Sequence, residues 1–288
     1  MELIFRRLSQ MINVIISYCY KWSIDLGFRR IHSLRKTERN PQIILSLTSY
    51  GRRTKTSVVY YTLVSLLNQT LQPDRIVLCL DREKWNIDNI PDKLKSLLQY
   101  GVDIEFCKDV KSYTKLIPCL KKYPNDILIT VDDDIIYPSN LIETLYSCHQ
   151  EFPTCIVCGQ GSLIEKNSDG KIMNYNDWKG ALSRQFYKLL LPLGVKGVLY
   201  PPHSLYKDVI NEELFMKLAP NADDLWFWMM GYLAGTKQMV IKVSKPYLSF
   251  DALYQFLHKG SALTHSNSKQ NMNDVQLKAI LKQYSIEL

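Results

Sequence analysis

From residue 41 onward, short apolar runs alternate with stretches in which apolar residues recur every three or four positions. The runs at 43–47, 75–80, 102–107, 127–131, 155–159 and 239–243 predict strands, and the stretches at 57–69, 92–100 and 113–122 predict helices between the first four. The run Ile-Leu-Ile-Thr-Val at 127–131 does not alternate with polar residues, which marks a strand covered on both faces. Strand–helix alternation of this kind predicts a parallel α/β sheet with helices on both sides. Ligands in such sheets sit at the carboxyl ends of the strands, so chemistry is expected in the loops 48–53, 81–85, 109–115 and 132–138.

Residues 1–40 have a different texture. The segment 3–22 predicts one amphipathic helix, with Ile4, Phe5, Leu8, Met11, Ile12, Ile15, Ile16, Cys19 and Trp22 on one side and Arg6, Gln10, Asn13, Ser17 and Lys21 on the other. Its longest unbroken apolar run is 14–16, far short of the roughly 20 residues a membrane span needs. There is also no apolar core with a small-residue cleavage site of the signal-peptide kind. Eight basic residues against three acidic ones put +5 of the chain's +8 into these first 40 residues. Two readings stay open. One is an interfacial helix held to the anionic inner face of the cell membrane by its apolar side and basic cluster, a peripheral placement. The other is a helix packed on the domain body with its basic side in water. No aromatic-interleaved basic motif points to nucleic acid.

With 288 residues, 46% of them hydrophobic and 22% charged, the chain can bury a sizeable core, which excludes a disordered or collagen-like protein and a disulfide-stapled miniprotein. Seven cysteines, an odd number lying mostly in apolar runs, favour reduced thiols and a cytoplasmic setting. Cys155 and Cys158 fall in one predicted strand, where positions i and i+3 face opposite sides, so they read as core residues rather than as a zinc pair with Cys148 and His149. The first strand runs into Thr-Ser-Tyr-Gly-Arg-Arg, with neither GxGxxG nor GxxxxGK[ST], which argues against a dinucleotide fold and a P-loop.

Asp132, Asp133 and Asp134 follow the buried strand 127–131 directly, and Ile-Ile-Tyr-Pro seals the turn after them. Three adjacent carboxylates repel one another unless the turn is fully solvated or a hard divalent cation, Mg2+ or Mn2+, sits among them. A second acidic pair, Asp223 and Asp224, precedes the apolar stretch 225–233. It serves either as the first turn of a helix or as catalytic carboxylate, where a general base is needed. Trp226, Trp228, Met229 and Met230 read as the core face of that helix, with one Trp a candidate for stacking on a sugar ring. The polar stretch 260–273 has the composition of a mobile loop and contains His265; His203 follows a rigid Pro-Pro turn.

The segment Val-Asp-Asp-Asp-Ile-Ile-Tyr-Pro at 131–138 resembles the DxD element of nucleotide-sugar glycosyltransferases of the GT-A fold. Ile-Ile-Leu-Ser-Leu-Thr-Ser-Tyr at 43–50, Ser-Leu-Leu-Asn-Gln-Thr at 65–70 with Pro-Asp-Arg-Ile-Val-Leu at 73–78, and Asn-Ala-Asp-Asp-Leu-Trp at 221–226 are similar, in order, to that family's further elements. The resemblance covers roughly 41–285 and is nearest to family-2-like bacterial enzymes of surface polysaccharide synthesis. It implies an arm at 1–40 and a GT-A domain at 41–288, with a nucleotide-binding half at 41–137 and an acceptor half at 138–288. It further implies that Asp132 and Asp134, joined by His265, hold Mn2+ or Mg2+, with the register of the three aspartates left open. Asp133 would touch the donor ribose or sugar, Thr48 and Tyr50 would line the base pocket, Asp81 would bind the nucleoside, and Lys115 would neutralise phosphate. Asp224 would be the base, with Asp223 orienting it or the acceptor. The activity implied is metal-dependent, inverting transfer of a sugar from a nucleotide donor to a lipid-linked or polysaccharide acceptor. The alternatives are a Mg2+-dependent phosphatase and a non-catalytic glycan or nucleotide-sugar binding scaffold.

Overall fold

A computed structural model describes residues 2–56, 58–249 and 271–288. After a long helix α1 (Glu2–Asp25), the chain runs through β1 (Ile43–Thr48), α2 (Gly51–Lys55), α3 (Val58–Leu67), β2 (Arg75–Asp81), α4 (Asp92–Lys95), β3 (Val102–Cys107), α5 (Ile117–Lys122), β4 (Ile127–Thr130) and β5 (Ile135–Ile136). The second half holds α6 (Leu141–Glu151), β6 (Ile156–Cys158), β7 (Gly161–Leu163), β8 (Leu190–Pro192), β9 (Val198–Tyr200), α7 (Glu212–Leu218), α8 (Asp223–Leu233), β10 (Gln238–Val240), β11 (Leu248–Ser249) and α9 (Met272–Gln283).

Seven strands form the central sheet in the order β10-β6-β9-β4-β1-β2-β3. The strands expected at 43–47, 75–80, 102–107 and 127–131 are present and pair in parallel, with Ile44 beside Arg75 and Leu128, and Val77 beside Asp103. This is the mostly parallel α/β sheet flanked by helices that the alternation predicts. The exception is β9, antiparallel to both β4 and β6. Only three residues long, between Gly197 and Pro201, it is too short to carry a period. All three of its residues are buried, so the sheet rather than local propensity makes it a strand.

Because side chains alternate along a strand, β1 feeds two cores. Ile43, Leu45 and Leu47 point to the layer that holds Leu63, Leu66 and Leu145. Ile44 points to the opposite layer, with Tyr113, Phe215, Phe227 and Trp228. The Tyr113 ring stacks on Phe215 at 4.1 Å, and its hydroxyl donates to the Ala219 carbonyl at 2.5 Å. Trp226 and Trp228 are fully buried here, so neither has a face for a sugar ring, contrary to that expectation.

Helix α1 packs on the body through its polar side: the Asn13 amide donates to the Tyr247 carbonyl at 3.1 Å and its oxygen accepts from the Ser249 N–H at 3.0 Å, while Ser17 is completely buried. Met11, Ile12, Ile15, Ile16 and Trp22 of the apolar row face outward. Among the described residues no helix is long and apolar enough to cross a membrane.

Candidate active site

The carboxyl ends of β1, β2 and β4 and the short turn Lys111–Lys115 after β3 converge on one edge of the sheet, and α8 begins there. The aspartate turn is held rigidly. The Asp132 N–H donates to the Tyr137 hydroxyl at 2.8 Å, and that hydroxyl donates to the Val195 carbonyl at 3.1 Å. Tyr137 is buried and its phenol is pushed well above its usual range by that burial.

Asp133 turns inward and is 4% exposed. It accepts from the Ser49 hydroxyl at 2.6 Å and from Arg53 at 2.7 Å, and Thr54 donates to Ser49 at 3.0 Å. Burial raises the Asp133 carboxyl, with Arg53 and Ser49 pulling the other way. This carboxylate fastens the turn to the segment after β1 and to α2. Arg53 spans both neighbours, since its other nitrogen lies 2.8 Å from Asp134.

Lys115 lies at the centre of the second charge group. Its ammonium is 2.8 Å from Asp223, 3.5 Å from Asp132 and 3.8 Å from Asp224. Burial works against its charge, but Asp223, Asp132 and Asp224 outweigh that and hold it well above the ordinary lysine value. Lys115 thus joins the aspartate turn to the head of α8. Asp223 and Asp224 occupy the first turn of α8 behind a non-capping Ala222, where the helix N-terminus favours negative charge. Asp224 keeps 31% of its side-chain surface open while accepting the Gly194 N–H at 3.3 Å. Burial pushes its carboxyl up to about 7; Lys115 pulls it down, Asp223 and Asp132 push it up, and the Gly194 N–H opposes them.

Thr48, Tyr50 and Asp81 lie on the same edge, whereas His203 follows β9, antiparallel to β4, and lies toward the opposite one. Thr48 donates its hydroxyl to the Cys79 carbonyl at 2.9 Å, and Tyr50 is 57% exposed at the mouth of the β1 loop. Asp81 ends β2 and is held below the usual carboxylate range chiefly by Lys84, 2.9 Å away. His203 follows β9 with a left-handed φ of 59°. His265 lies outside the described residues. Sequence reasoning missed Arg53, Ser49, Tyr137 and Gly194; the only visible signal was the Arg-Arg pair after the first strand.

Among the described residues, five carboxylates (Asp132, Asp133, Asp134, Asp223 and Asp224) pair with Lys115 and Arg53. The excess of negative charge suits a divalent cation. Among the described residues no three His, Cys, Asp or Glu side chains gather into a metal cage. Carboxylate oxygens such as those of Asp132 are donors of the kind that Mg2+ and Mn2+ take, with phosphate and water filling the rest of the shell. Asp132, with 32% of its side chain exposed, is the most open carboxylate of the turn.

No protein-family model matches the chain, and no curated protein matches it by sequence. Solved structures of similar shape include the mannosyltransferase PcManGT from Pyrobaculum calidifontis in complex with GDP-Man and Mn2+, at 12% identity and a TM-score of 0.49, over 99% of this chain and 75% of that one. Another is S. aureus TarS, at 13% identity and a TM-score of 0.49, over 81% of this chain and 42% of that one. A third is a CMP:2-keto-3-deoxy-manno-octonic acid synthetase complexed with CTP, at 12% identity and a TM-score of 0.44, over 75% and 96%.

Proposed function

We propose that the protein is a metal-dependent glycosyltransferase that moves a sugar from a nucleotide-sugar donor to a lipid-linked or polysaccharide acceptor, with inversion at the anomeric carbon. The observation that carries this reading is the Lys115 bridge. It ties a carboxylate poised near neutrality, Asp224, to the aspartate turn where a diphosphate would be held.

On this reading residues 41–137 bind the nucleotide and 138–288 the acceptor. Thr48, Tyr50 and Asp81 flank the nucleoside, while Asp132 and Asp134 face the diphosphate. Mn2+ or Mg2+ bound at Asp132 and Asp134 would supply Lewis-acid neutralisation of the leaving diphosphate. Asp224 accepts the proton of the acceptor hydroxyl as that oxygen attacks the anomeric carbon. A carboxylate with a pKa close to working pH suits that task, being ionised often enough and basic enough. Asp223 and Lys115 hold Asp224 in place, and the Gly194 N–H steadies its ionised form. The work would take place at the cytoplasmic face of a membrane, where lipid-linked acceptors are held.

The test is a thermal-shift screen with UDP, GDP, CDP and dTDP, each with Mn2+ and with EDTA. A ligand at a hundredfold excess over its Kd stabilises the native state by about 2.7 kcal/mol. A metal-dependent shift with one nucleotide, lost in Asp132→Ala, is the expected result and names the base. A well-folded protein that responds to none of the four would sink the reading.

A further inference from the structure

We infer that the outward side of α1, with the arginine-lined cleft at its carboxyl end, is a docking surface for an anionic lipid bilayer. An amphipathic helix normally turns its apolar side to the core, where burial is worth about 25 cal/mol per Å2. Here the polar side is turned in: Asn13 and Ser17 satisfy the backbone of residues 247–249, and among the described side chains of the helix only Ile24 is an apolar one buried in the core. What faces out is Ile12 at 48% exposure, Ile15 at 58%, Ile16 at 46%, Trp22 at 58% and Leu26 at 67%, followed by Phe28 at 81%. Positions 12, 15, 16, 22 and 26 share one helical stripe.

The charge beside the stripe says what covers it. Immediately after Phe28 the chain borders a cleft of about 1250 Å3 lined by Arg29, Arg30, His32, Arg35 and Arg39. Arg39 is paired with Asp74 at 2.6 Å, and Arg29 lies over the Tyr20 ring at 4.5 Å. Arg30 and Arg35 are exposed and form no ion pair among the described residues. An apolar stripe ending in Trp, with unpaired arginines beside it, matches the acyl and headgroup layers of an anionic leaflet. A second copy docking on the same face would bring two segments of charge +5 together, which disfavours a symmetric dimer.

The surface is also close to the candidate site. Asn13 and Ser17 hold β11, β11 pairs with β5 through Leu248 and Ile136, and β5 begins directly after Asp134. The inference itself does not depend on the transferase reading.

The experiment is flotation of the full chain with vesicles of phosphatidylcholine alone and of phosphatidylcholine mixed equally with phosphatidylglycerol, at low and high salt. The wild type should float with the anionic vesicles and be released by salt. The variant Ile15→Asn, Ile16→Asn, Trp22→Ser, all at exposed positions, should keep the wild-type melting temperature and lose binding. The pair Arg30→Gln, Arg35→Gln should weaken partitioning roughly twenty- to thirtyfold, at about fivefold per charge. Trp22→Phe should keep binding while losing the fluorescence quenching by brominated lipid. Three results would overturn the proposal: a folded wild type that binds neither vesicle, a triple variant that binds as well as wild type, or a dimer in sedimentation that the triple variant abolishes without any vesicle binding.

Discussion

At the carboxyl edge of the sheet, five aspartates, one lysine and one arginine lie within a network of contacts between 2.7 and 3.8 Å, with most of their surface removed from water. At the amino edge, Arg30 and Arg35 stand in solvent without an ion pair among the described residues. The two regions hold opposite charge in opposite physical states. Buried charge is strongly coupled, because removing one partner strands the others at several kcal/mol. Exposed charge is screened and contributes little to folding, so it is free to serve an external partner. The acidic edge should therefore answer mutation with large, correlated changes, and the basic edge with small ones confined to binding.

The sharpest contrast is expected at Asp224. Asp224→Asn removes the proposed base and should lower kcat by about a hundred- to ten-thousandfold while metal-dependent nucleotide binding survives. In the wild type, kcat/KM should rise with pH through about 7 as this carboxyl ionises, a limb absent from the variant. The stability effect has the opposite sense. A carboxyl raised in the folded state stabilises fully only below its unfolded value of about 3.9 and loses that contribution as pH rises through about 7. Melting temperature followed against pH in wild type and variant checks this. A wild-type rate profile flat between those values would break the assignment.

Next in size is Lys115→Met. Taking the ammonium away from Asp132, Asp223 and Asp224 should cost about 3 kcal/mol at neutral pH, read from the urea midpoint. The loss should shrink in mildly acidic buffer, where protonation relieves the repulsion. Since Lys115 pulls the Asp224 carboxyl down, the residual activity should shift its midpoint to higher pH. Equal destabilisation at both pH values would mean that lost packing, not charge, is the cause.

Much of this edge was legible because its signals are local. Buried strands at 43–47 and 127–131 read as unalternating apolar runs, and the three aspartates adjoin one of them. What was illegible depends on distance along the chain. The Arg53 to Asp133 pair joins positions 80 apart, and Lys115 reaches Asp223 on a helix that only the tertiary fold brings near. Strand β9 is three residues long and exists because β4 and β6 flank it. For α1 the periodicity revealed two unlike sides, but not which one the body takes. That choice was made by Asn13 and Ser17 satisfying the chain at Tyr247 and Ser249.

A smaller perturbation tests how tightly the acidic edge is built. A Cβ on Gly194 would lie 2.6 Å from the Lys115 ammonium and 3.2 Å from an Asp224 oxygen. The lysine tip is flexible in principle, but three carboxylates hold it here. Gly194→Ala should cost about 1–3 kcal/mol in stability through overpacking. It should also lower kcat about tenfold, the equivalent of 1.4 kcal/mol, with nucleotide affinity little changed. An unchanged rate would show that Asp224 tolerates displacement and weaken its part in proton transfer.

The smallest effect is expected at the other edge, and its smallness is informative. Arg30→Gln with Arg35→Gln removes two exposed charges that contribute no ion pair among the described residues, so the melting temperature should move by the equivalent of no more than about 0.5 kcal/mol. Metal-dependent nucleotide shifts should match the wild type, because these arginines line a cleft at the amino edge while the aspartates lie at the carboxyl edge. Long-range attraction between the edges is the competing view. It would make the pair's effect on nucleotide binding strong at low ionic strength and weak at high, since screening acts over about 10 Å at 0.1 M salt. Titrating the metal-dependent nucleotide shift at both salt levels separates the two views: independence from salt leaves the basic edge with an external partner as its reason to exist, and dependence would make it part of the donor site's field.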